Sequence, residues 1–301
     1  MTHSSAILLN PLAGGGQAAR LIHPIKQFLK NLNIELEVYI ASNLNESLQW
    51  VLNRPLYSRL IVVGGDGTIS QLLPKLLQRQ LELAIIPWGS GNDCARELRV
   101  HQLGWQEALH LALHQPVQLM DVGLAQYQIN KETFHRPFLS SFSCGFDAEV
   151  ALQALKGPSF LTGKLRYLYA TIKAIFSLKI NQVTIYKASI LVHQGSTLLA
   201  SSLNTRTFGG GLPAAPHANA FDQQINLLIA GNINKISVLA LLPLLNFGKH
   251  LGLREVFTHP YQNLCIQSQQ ALAIAADGEF LGFTHEIQLS LGPQKLAVVV
   301  G

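Results

Sequence analysis

Three short apolar runs each end in a glycine-bearing loop, and this pattern constrains the fold more than any other feature of the chain. Ala6–Leu9 closes on Asn10-Pro11-Leu12-Ala13-Gly14-Gly15-Gly16. Leu60–Val63 runs directly into Gly64-Gly65-Asp66-Gly67-Thr68, and Leu83–Ile86 leads through Pro87 to Gly89-Ser90-Gly91-Asn92-Asp93. A brief apolar run bounded by turn residues reads as a strand buried on both faces. Apolar residues recur at helical spacing over Gln17–Leu32, near Glu46–Leu52 and over Ile69–Leu77; Glu35–Ile40 reads as a further strand, and Trp105–Leu113 as a closing helix. The alternation predicts a mostly parallel sheet covered by helices. Loops that follow parallel strands share the carboxyl edge of the sheet, where ligands bind. Glycine lets backbone come close to a ligand, and a strand that opens a helix through glycines aims unpaired N–H groups at one spot, which suits phosphate. None of the loops matches G-x-x-x-x-G-K-[ST] or G-x-G-x-x-G, so neither a P-loop nor a dinucleotide fingerprint is present.

From about Val122 the rhythm changes. Strand-like runs recur at Gln118–Leu124, Phe138–Ser143, Gln182–Val192, Thr197–Thr205, Ile225–Ala230, Asn263–Ser268 and Leu272–Ala275, mostly separated by turn residues. This predicts an antiparallel sandwich or open barrel, interrupted by helical insertions near Gly163–Leu178 and Lys235–Phe247. The last run, Lys295–Val300, is solidly apolar and is expected to return to the first sheet. The expected division is an α/β domain over 1–122 completed by the strand segment 288–301, and a β-rich domain over 123–287.

Only 13% of the residues are charged, 48% are hydrophobic, and the mean hydropathy is +0.23. An integral membrane protein is the first suspicion, but a spanning helix needs about 20 nearly continuous apolar residues. The most apolar stretch, Val238–Leu245, is short and contains Pro243. The net charge of +5 favours anionic partners such as a nucleotide or an acidic bilayer. The bases are scattered, with no run of the kind that binds nucleic acid. Cys94, Cys144 and Cys265 have no C-x-x-C spacing and read as reduced thiols. No signal peptide is visible at the first residues, and the expected location is the cytoplasm.

Read together in order, Asn10-Pro11 with Gly14, Gly64–Thr68, Ile86-Pro-Trp-Gly-Ser-Gly-Asn-Asp93, Gly145-Phe-Asp-Ala148, Gly209–Gly211 with Ala215-Pro216, Gly248-Lys-His250 and Asp277-Gly-Glu279 resemble the diacylglycerol kinase-like lipid kinases, the group that includes bacterial diacylglycerol kinases, YegS-type kinases and sphingosine kinases. The resemblance spans almost the whole chain. The Gly-Gly-Asp-Gly-Thr motif alone is shared with NAD kinases and phosphofructokinases; the ordered set is specific.

The resemblance implies ATP-dependent phosphorylation of a lipid hydroxyl, with Mg²⁺, by an enzyme in peripheral contact with an anionic membrane surface. It places ATP on Asn10, Pro11, Leu12, Ala13, Gly14, Ser42, Gly64, Gly65, Asp66, Gly67, Thr68, Ser90, Asn92 and Asp93. Ser42 and Ser90 stand where the family usually has threonine. Asp66 is the candidate for Mg-ATP, directly or through water, and Lys164 for a basic partner of Asp93. Asp277 and Glu279 are the candidates for the general base, since phosphoryl transfer rests on positioning, charge neutralisation and a carboxylate at the attacking hydroxyl. Asp277-Gly278 is equally a common hairpin turn. A structural Mg²⁺ site is implied at Asp222, with the carbonyls of Asn219 and Gln224 and with Asn226 where Asp is frequent. Gln71 replaces a common glutamate and Ser140 a common asparagine. Two other readings remain open: a kinase of a soluble substrate, like NAD kinase, and a non-catalytic nucleotide- or lipid-binding descendant. His110 and His114 lie four apart without H-E-x-x-H and read as structural. Ile236–Phe247 reads as a helix packed on the β-rich domain rather than a membrane anchor, though an exposed part of it could dip into a headgroup region.

Overall fold

The computed structural model describes residues 5–301 except 57, 159, 160, 162, 232, 234–237, 239–243 and 246, and of Lys164 the backbone alone. The elements run β1 (Ser5–Leu9), α1 (Ile22–Asn31), β2 (Glu37–Ile40), α2 (Leu44–Leu52), β3 (Arg59–Gly64), α3 (Asp66–Arg79), β4 (Glu82–Pro87), α4 (Asp93–Glu97), α5 (Trp105–His114) and β5 (Val117–Met120). There follow β6 (Gly123–Ile129), β7 (Glu132–Phe138), β8 (Ser141–Cys144), α6 (Phe146–Lys156), α7 (Gly163–Phe176), β9 (Asn181–Lys187), β10 (Ile190–Thr197), β11 (Leu199–Leu203), β12 (Ile225–Ala230), β13 (Val256–Tyr261), β14 (Asn263–Ala276), β15 (Glu279–Leu291) and β16 (Leu296–Val299). The chain divides into two compact units, Met1–Met120 with Gln294–Gly301, and Asp121–Pro293.

The first unit holds a six-stranded sheet in the order β2-β1-β3-β4-β16-β5. β1 to β4 are parallel; β16 lies parallel to β4 and antiparallel to β5. Burial on both faces explains the unbroken apolar runs. Ile7, Leu9, Ile61, Val63, Ala84 and Ile86 pack with α1 and α5, and the alternate residues Leu8, Leu60, Val62, Leu83 and Ile85 are equally buried. Arg59 and Glu82 form a buried pair across β3 and β4, Nε to Oε2 at 2.8 Å, and Arg59 also donates to the Ala112 carbonyl of α5 at 2.8 Å.

The second unit is built on a ten-stranded antiparallel sheet with the path β13-β12-β11-β8-β14-β15-β6-β7, β9 pairing with β14 and β10 with β9. Period-2 alternation divides its strands between two cores. On β12, Ile225, Leu227 and Ile229 enter the main core with Phe138, Phe142 and Tyr261, whereas Leu228 and Ala230 enter a second cluster with Leu203 and Val256. α6 packs Ala148 and Ala151 onto Ala273 and Ala275 of β14.

The α/β and antiparallel halves agree with the sequence reading, with instructive differences. The run Gln118–Leu124 is two strands: β5 belongs to the first sheet and β6 to the second, and the chain changes unit at buried Asp121. Gln182–Val192 is a hairpin that turns at Ala188 and Ser189, both at positive φ, so apolar alternation continues through a turn without glycine. Asn263–Ser268 and Leu272–Ala275 are one strand, β14, whose register shifts between Gln267 and Leu272. Segment 288–301 divides between the end of β15 and β16. The insertion read at Gly163–Leu178 is α7; that read at 235–247, with the packed helix Ile236–Phe247, lies outside the described residues except 238, 244, 245 and 247. Removing one member of a buried ion pair strands the other charge, at a cost of about 3–5 kcal/mol. Glu82→Ala is therefore expected to lower the stability of the first unit by about 3 kcal/mol, read as an earlier thermal unfolding transition.

Candidate functional site

The glycine loops follow β1, β3 and β4, neighbours in the first sheet, and so meet on one carboxyl edge. Direct contacts knit them together. The Asn10 side-chain amide donates to the Thr68 hydroxyl at 2.9 Å, and Asn10 Oδ1 accepts the Leu12 N–H at 3.0 Å in a tight Asx turn. Trp88 N–H donates to the Gly64 carbonyl at 2.9 Å. A methyl group on Gly65 would stand 2.6 Å from the Gly89 Cα, so the second and third loops touch through backbone that admits no side chain. Asn92 fixes the third loop reciprocally: its Oδ1 accepts the Gly89 N–H and its Nδ2 donates to the Gly89 carbonyl, each at 2.9 Å. Gly14, Gly15 and Gly16 all lie at positive φ.

Asp66 opens α3, and its carboxylate also caps α4: Oδ2 accepts the Asp93 N–H and Oδ1 the Cys94 N–H, both at 3.0 Å. One negative charge thus sits at two helix N-termini, where the macrodipole favours it. Asp93 is buried and stands 4.0 Å from Arg96. Ser42 follows β2 and is exposed on the same edge, but the cap of α2 is Asn43, whose Oδ1 accepts the Glu46 N–H at 2.9 Å. Ser90 is exposed at the third loop, and Gln71 lies on α3. The side chain of Lys164 lies outside the described residues. His110 and His114 stack on α5 with ring centroids 4.4 Å apart.

In the second unit, Asp277 and Gly278 form the two-residue connection between β14 and β15, both at positive φ, as a type I′ hairpin turn requires. The Asp277 side chain holds the junction of β7 and β8. Oδ1 accepts the N–H groups of Leu139, Ser140 and Ser141 at 3.2, 2.7 and 3.0 Å, and Oδ2 accepts that of Leu139 at 3.1 Å. The Asp277 N–H donates to the Ser141 carbonyl at 2.8 Å. Glu279 Oε2 accepts Arg136 Nη2 at 2.9 Å. Burial pushes the Asp277 pKa above the ordinary carboxylate value, against the lowering effect of the three N–H donors and of Arg136.

Sequence reasoning missed three participants here. Arg136 sits on edge-strand β7, and nothing local marks it as the partner of a residue 143 positions away. The Tyr167 hydroxyl lies 3.1 Å from where a Cβ on Gly278 would stand. Asp147, within the Gly145–Ala148 motif, accepts the Ser201 hydroxyl and is also hydrogen-bonded to Ser143; burial raises its pKa. The motif was the available signal, but it carried no role.

For a divalent ion this edge offers one carboxylate, Asp66, which fits Mg²⁺ held largely through water and phosphate, whereas loop N–H groups suit the phosphate itself. The Asp222 loop fits a structural ion poorly. Exposed Asp222 Oδ1 accepts the Gln224 N–H at 3.0 Å, the Asn219 side chain accepts the Phe221 N–H at 3.2 Å, and buried Asp121 Oδ2 accepts the Gln223 N–H at 2.6 Å, so these oxygens are engaged by the loop's own backbone. Among the described residues no group of three or more His, Cys, Asp or Glu is placed to hold a metal.

Overpacking of a close backbone contact costs about 1–3 kcal/mol, so Gly65→Ala is expected to destabilise the first unit by about 2 kcal/mol. Gly67, in the first turn of α3 with open space around it, is the control: Gly67→Ala is expected to leave stability unchanged or raise it by about 0.5–1 kcal/mol. Denaturant unfolding of the two variants reads the contrast. The folded state binds the Asp277 proton more tightly than the unfolded chain, so this group's contribution to stability is fully present below the ordinary aspartate pKa and is lost as pH rises through the raised one. The thermal midpoint of wild type minus that of Asp277→Asn is expected to fall across this window; a difference that is flat or rises with pH contradicts the raised pKa.

Residues 4–125 match the diacylglycerol kinase catalytic domain, and residues 140–300 match the YegS C-terminal NAD kinase beta sandwich-like domain. The diacylglycerol kinase of Mycobacterium tuberculosis is 26% identical over 277 residues, covering 91% of this chain and 87% of that protein. The diacylglycerol kinase of Bacillus subtilis is 21% identical over 281 residues, covering 92% and 89%. Among solved structures, a diacylglycerol kinase from Bacillus anthracis superposes with TM-score 0.68 at 17% identity, covering 99% of this chain and 97% of that one. An NAD kinase from Archaeoglobus fulgidus in complex with ATP superposes with TM-score 0.54 at 12% identity, covering 98% and 93%, a likeness of fold alone. The chain belongs to the diacylglycerol kinase-like family, with that family's catalytic domain followed by its YegS-type β domain.

Proposed function

We propose that this protein is an ATP-dependent lipid kinase that transfers the γ-phosphoryl group of ATP to a lipid hydroxyl of the diacylglycerol type. The observation that carries the reading is the joined edge of the first unit, where glycine loops after β1, β3 and β4 are locked together by Asn10–Thr68, Gly65–Gly89 and Asp66–Asp93/Cys94. Such an edge offers backbone N–H groups and small surfaces to a triphosphate, and its preorganisation means that little rearrangement accompanies binding. The loops Asn10–Gly14 and Gly64–Thr68 would hold the phosphates, with Ser42, Ser90, Asn92 and Asp93 around the nucleotide. Asp66 would face the Mg²⁺ of Mg-ATP; when bound, that ion neutralises charge on the transferring group.

The acceptor side is assigned to the second unit. Asp277 combines a raised pKa, which brings a carboxylate nearer to working pH, with one oxygen, Oδ2, that holds a single N–H. Oδ1 carries the structural contacts, so the side chain is fixed while Oδ2 meets the attacking hydroxyl and takes its proton. Glu279, paired with Arg136, orients the turn and the hydroxyl.

Labelled ATP with a panel of pure lipids tests the reading. A chloroform-soluble labelled product is expected; a water-soluble labelled product points instead to a soluble acceptor, and nucleotide binding without product to a non-catalytic protein. Asp277→Asn and Glu279→Gln are expected to lower turnover by about 10²–10⁴-fold, with ATP affinity nearly unchanged. Full turnover in both variants would remove the pair from the role of base.

A further inference from the structure

We propose that the indole N–H of Trp88 is a phosphate donor at the joined edge of the first unit and contacts the triphosphate of ATP beside the first glycine loop. The proposal rests on the kinase reading above and adds to it a residue to which the family resemblance gives no role. Trp88 belongs to the third loop and touches the other two. Its backbone N–H donates to the Gly64 carbonyl of the second loop at 2.9 Å. On the side of the first loop, a Cβ built on Gly14 would stand 2.9 Å from Trp88 Cδ1, 3.2 Å from its Nε1 and 3.2 Å from its carbonyl oxygen. The edge of the indole that carries the N–H thus lies directly against Gly14, whose φ is +61°. The ring is half-buried and packs on the core that Ile7, Leu9 and Ile86 form with α1 and α5, so the sheet sets its position.

Three donors collect at this place. Within the first loop the N–H groups of Ala13 and Gly16 turn back to the carbonyls of Asn10 and Leu12. Those of Gly14 and Gly15 have no acceptor among the described residues, and neither has the Trp88 indole N–H. Successive N–H groups in a turn form an anion-binding concavity. A Cβ on Gly15 or Gly16 would meet nothing within 4 Å, so these glycines face open space. The chain has no Asp or Glu before Glu35, and nothing within the first loop repels an anion. An indole nitrogen is a donor only, which suits a phosphate oxygen and cannot ligate a cation. A tryptophan N–H at a half-buried position ordinarily finds a partner; here the ligand supplies it. Phenylalanine would fill the same place on the core without donating, so packing alone does not call for an indole.

Calorimetric titration of the full chain with Mg-ATP and with Mg-tripolyphosphate tests the proposal. W88F keeps an aromatic ring on the core and removes the donor. It is expected to bind both ligands about tenfold or more weakly than wild type, the loss of one hydrogen bond to a charged group. Equal affinities in W88F and wild type would overturn the proposal and leave the ATP reading standing. Should W88F unfold early, the native side chain decides. The tryptophans are Trp50, Trp88 and Trp105, so in W50F/W105F the indole emission comes from Trp88 alone. That emission is expected to change on addition of Mg-tripolyphosphate and to stay constant with adenosine. No change with tripolyphosphate, or a change with adenosine alone, would overturn the phosphate contact. Wild type that binds neither Mg-ATP nor Mg-tripolyphosphate would defeat the ATP reading itself, and the proposal with it.

Discussion

Backbone N–H groups at a break in regular structure must find an acceptor, and in each unit of this protein one aspartate carboxylate supplies it. Asp66 closes the N-terminus of α4 from the head of α3, and Asp277 gathers the N–H groups of residues 139–141 where β7 gives way to β8. A five-residue helix such as α4 has almost no intrinsic stability. Its position, and with it the third glycine loop, depends on the Asp66 contact. The β7–β8 junction likewise depends on a side chain more than a hundred residues downstream. Both carboxylates thus serve the fold, and their hydrogen bonds fix the orientation of each side chain.

The glycines complement the carboxylates. Gly65 and Gly89 meet backbone to backbone, and a single methyl group on either would force the loops apart. Because no side chain intervenes, the two loops can touch at the edge of the sheet. Gly67 has no such neighbour and lies in helical conformation, so within one motif the close approach of backbone explains Gly65 and not Gly67.

The α/β unit was readable because its signals are local. Each apolar strand leads into its loop, and the parallel order follows from alternation alone. The second unit was less so. The turn at Ala188-Ser189 carries no glycine or proline, the irregular register within β14 divides one strand into two apparent runs, and β7 and β13 lack strong punctuation. The candidate site shows the same division. The loop residues Asn10, Asp66 and Asn92 announce themselves by their glycine neighbours. Arg136 pairs with Glu279 across the sheet path from β7 to β15, and Tyr167 meets Gly278 through helix packing, relations that no sequence window contains.

The unusual shortage of charge has two physical sources. In the first unit a parallel sheet buried on both faces removes the polar positions that a half-exposed strand would carry. In the second, β12 divides its residues between two cores and leaves few sites for charge. Neither source accounts for α7, whose inner face is already satisfied by Ala170 and Ala174 while its outer face presents leucine, isoleucine and phenylalanine to solvent. Several large apolar side chains thus share one partly exposed helix face, a contiguous patch of the kind that marks an interaction surface. Among the described residues no helix is long and apolar enough to cross a membrane, so the stripe does not belong to a span.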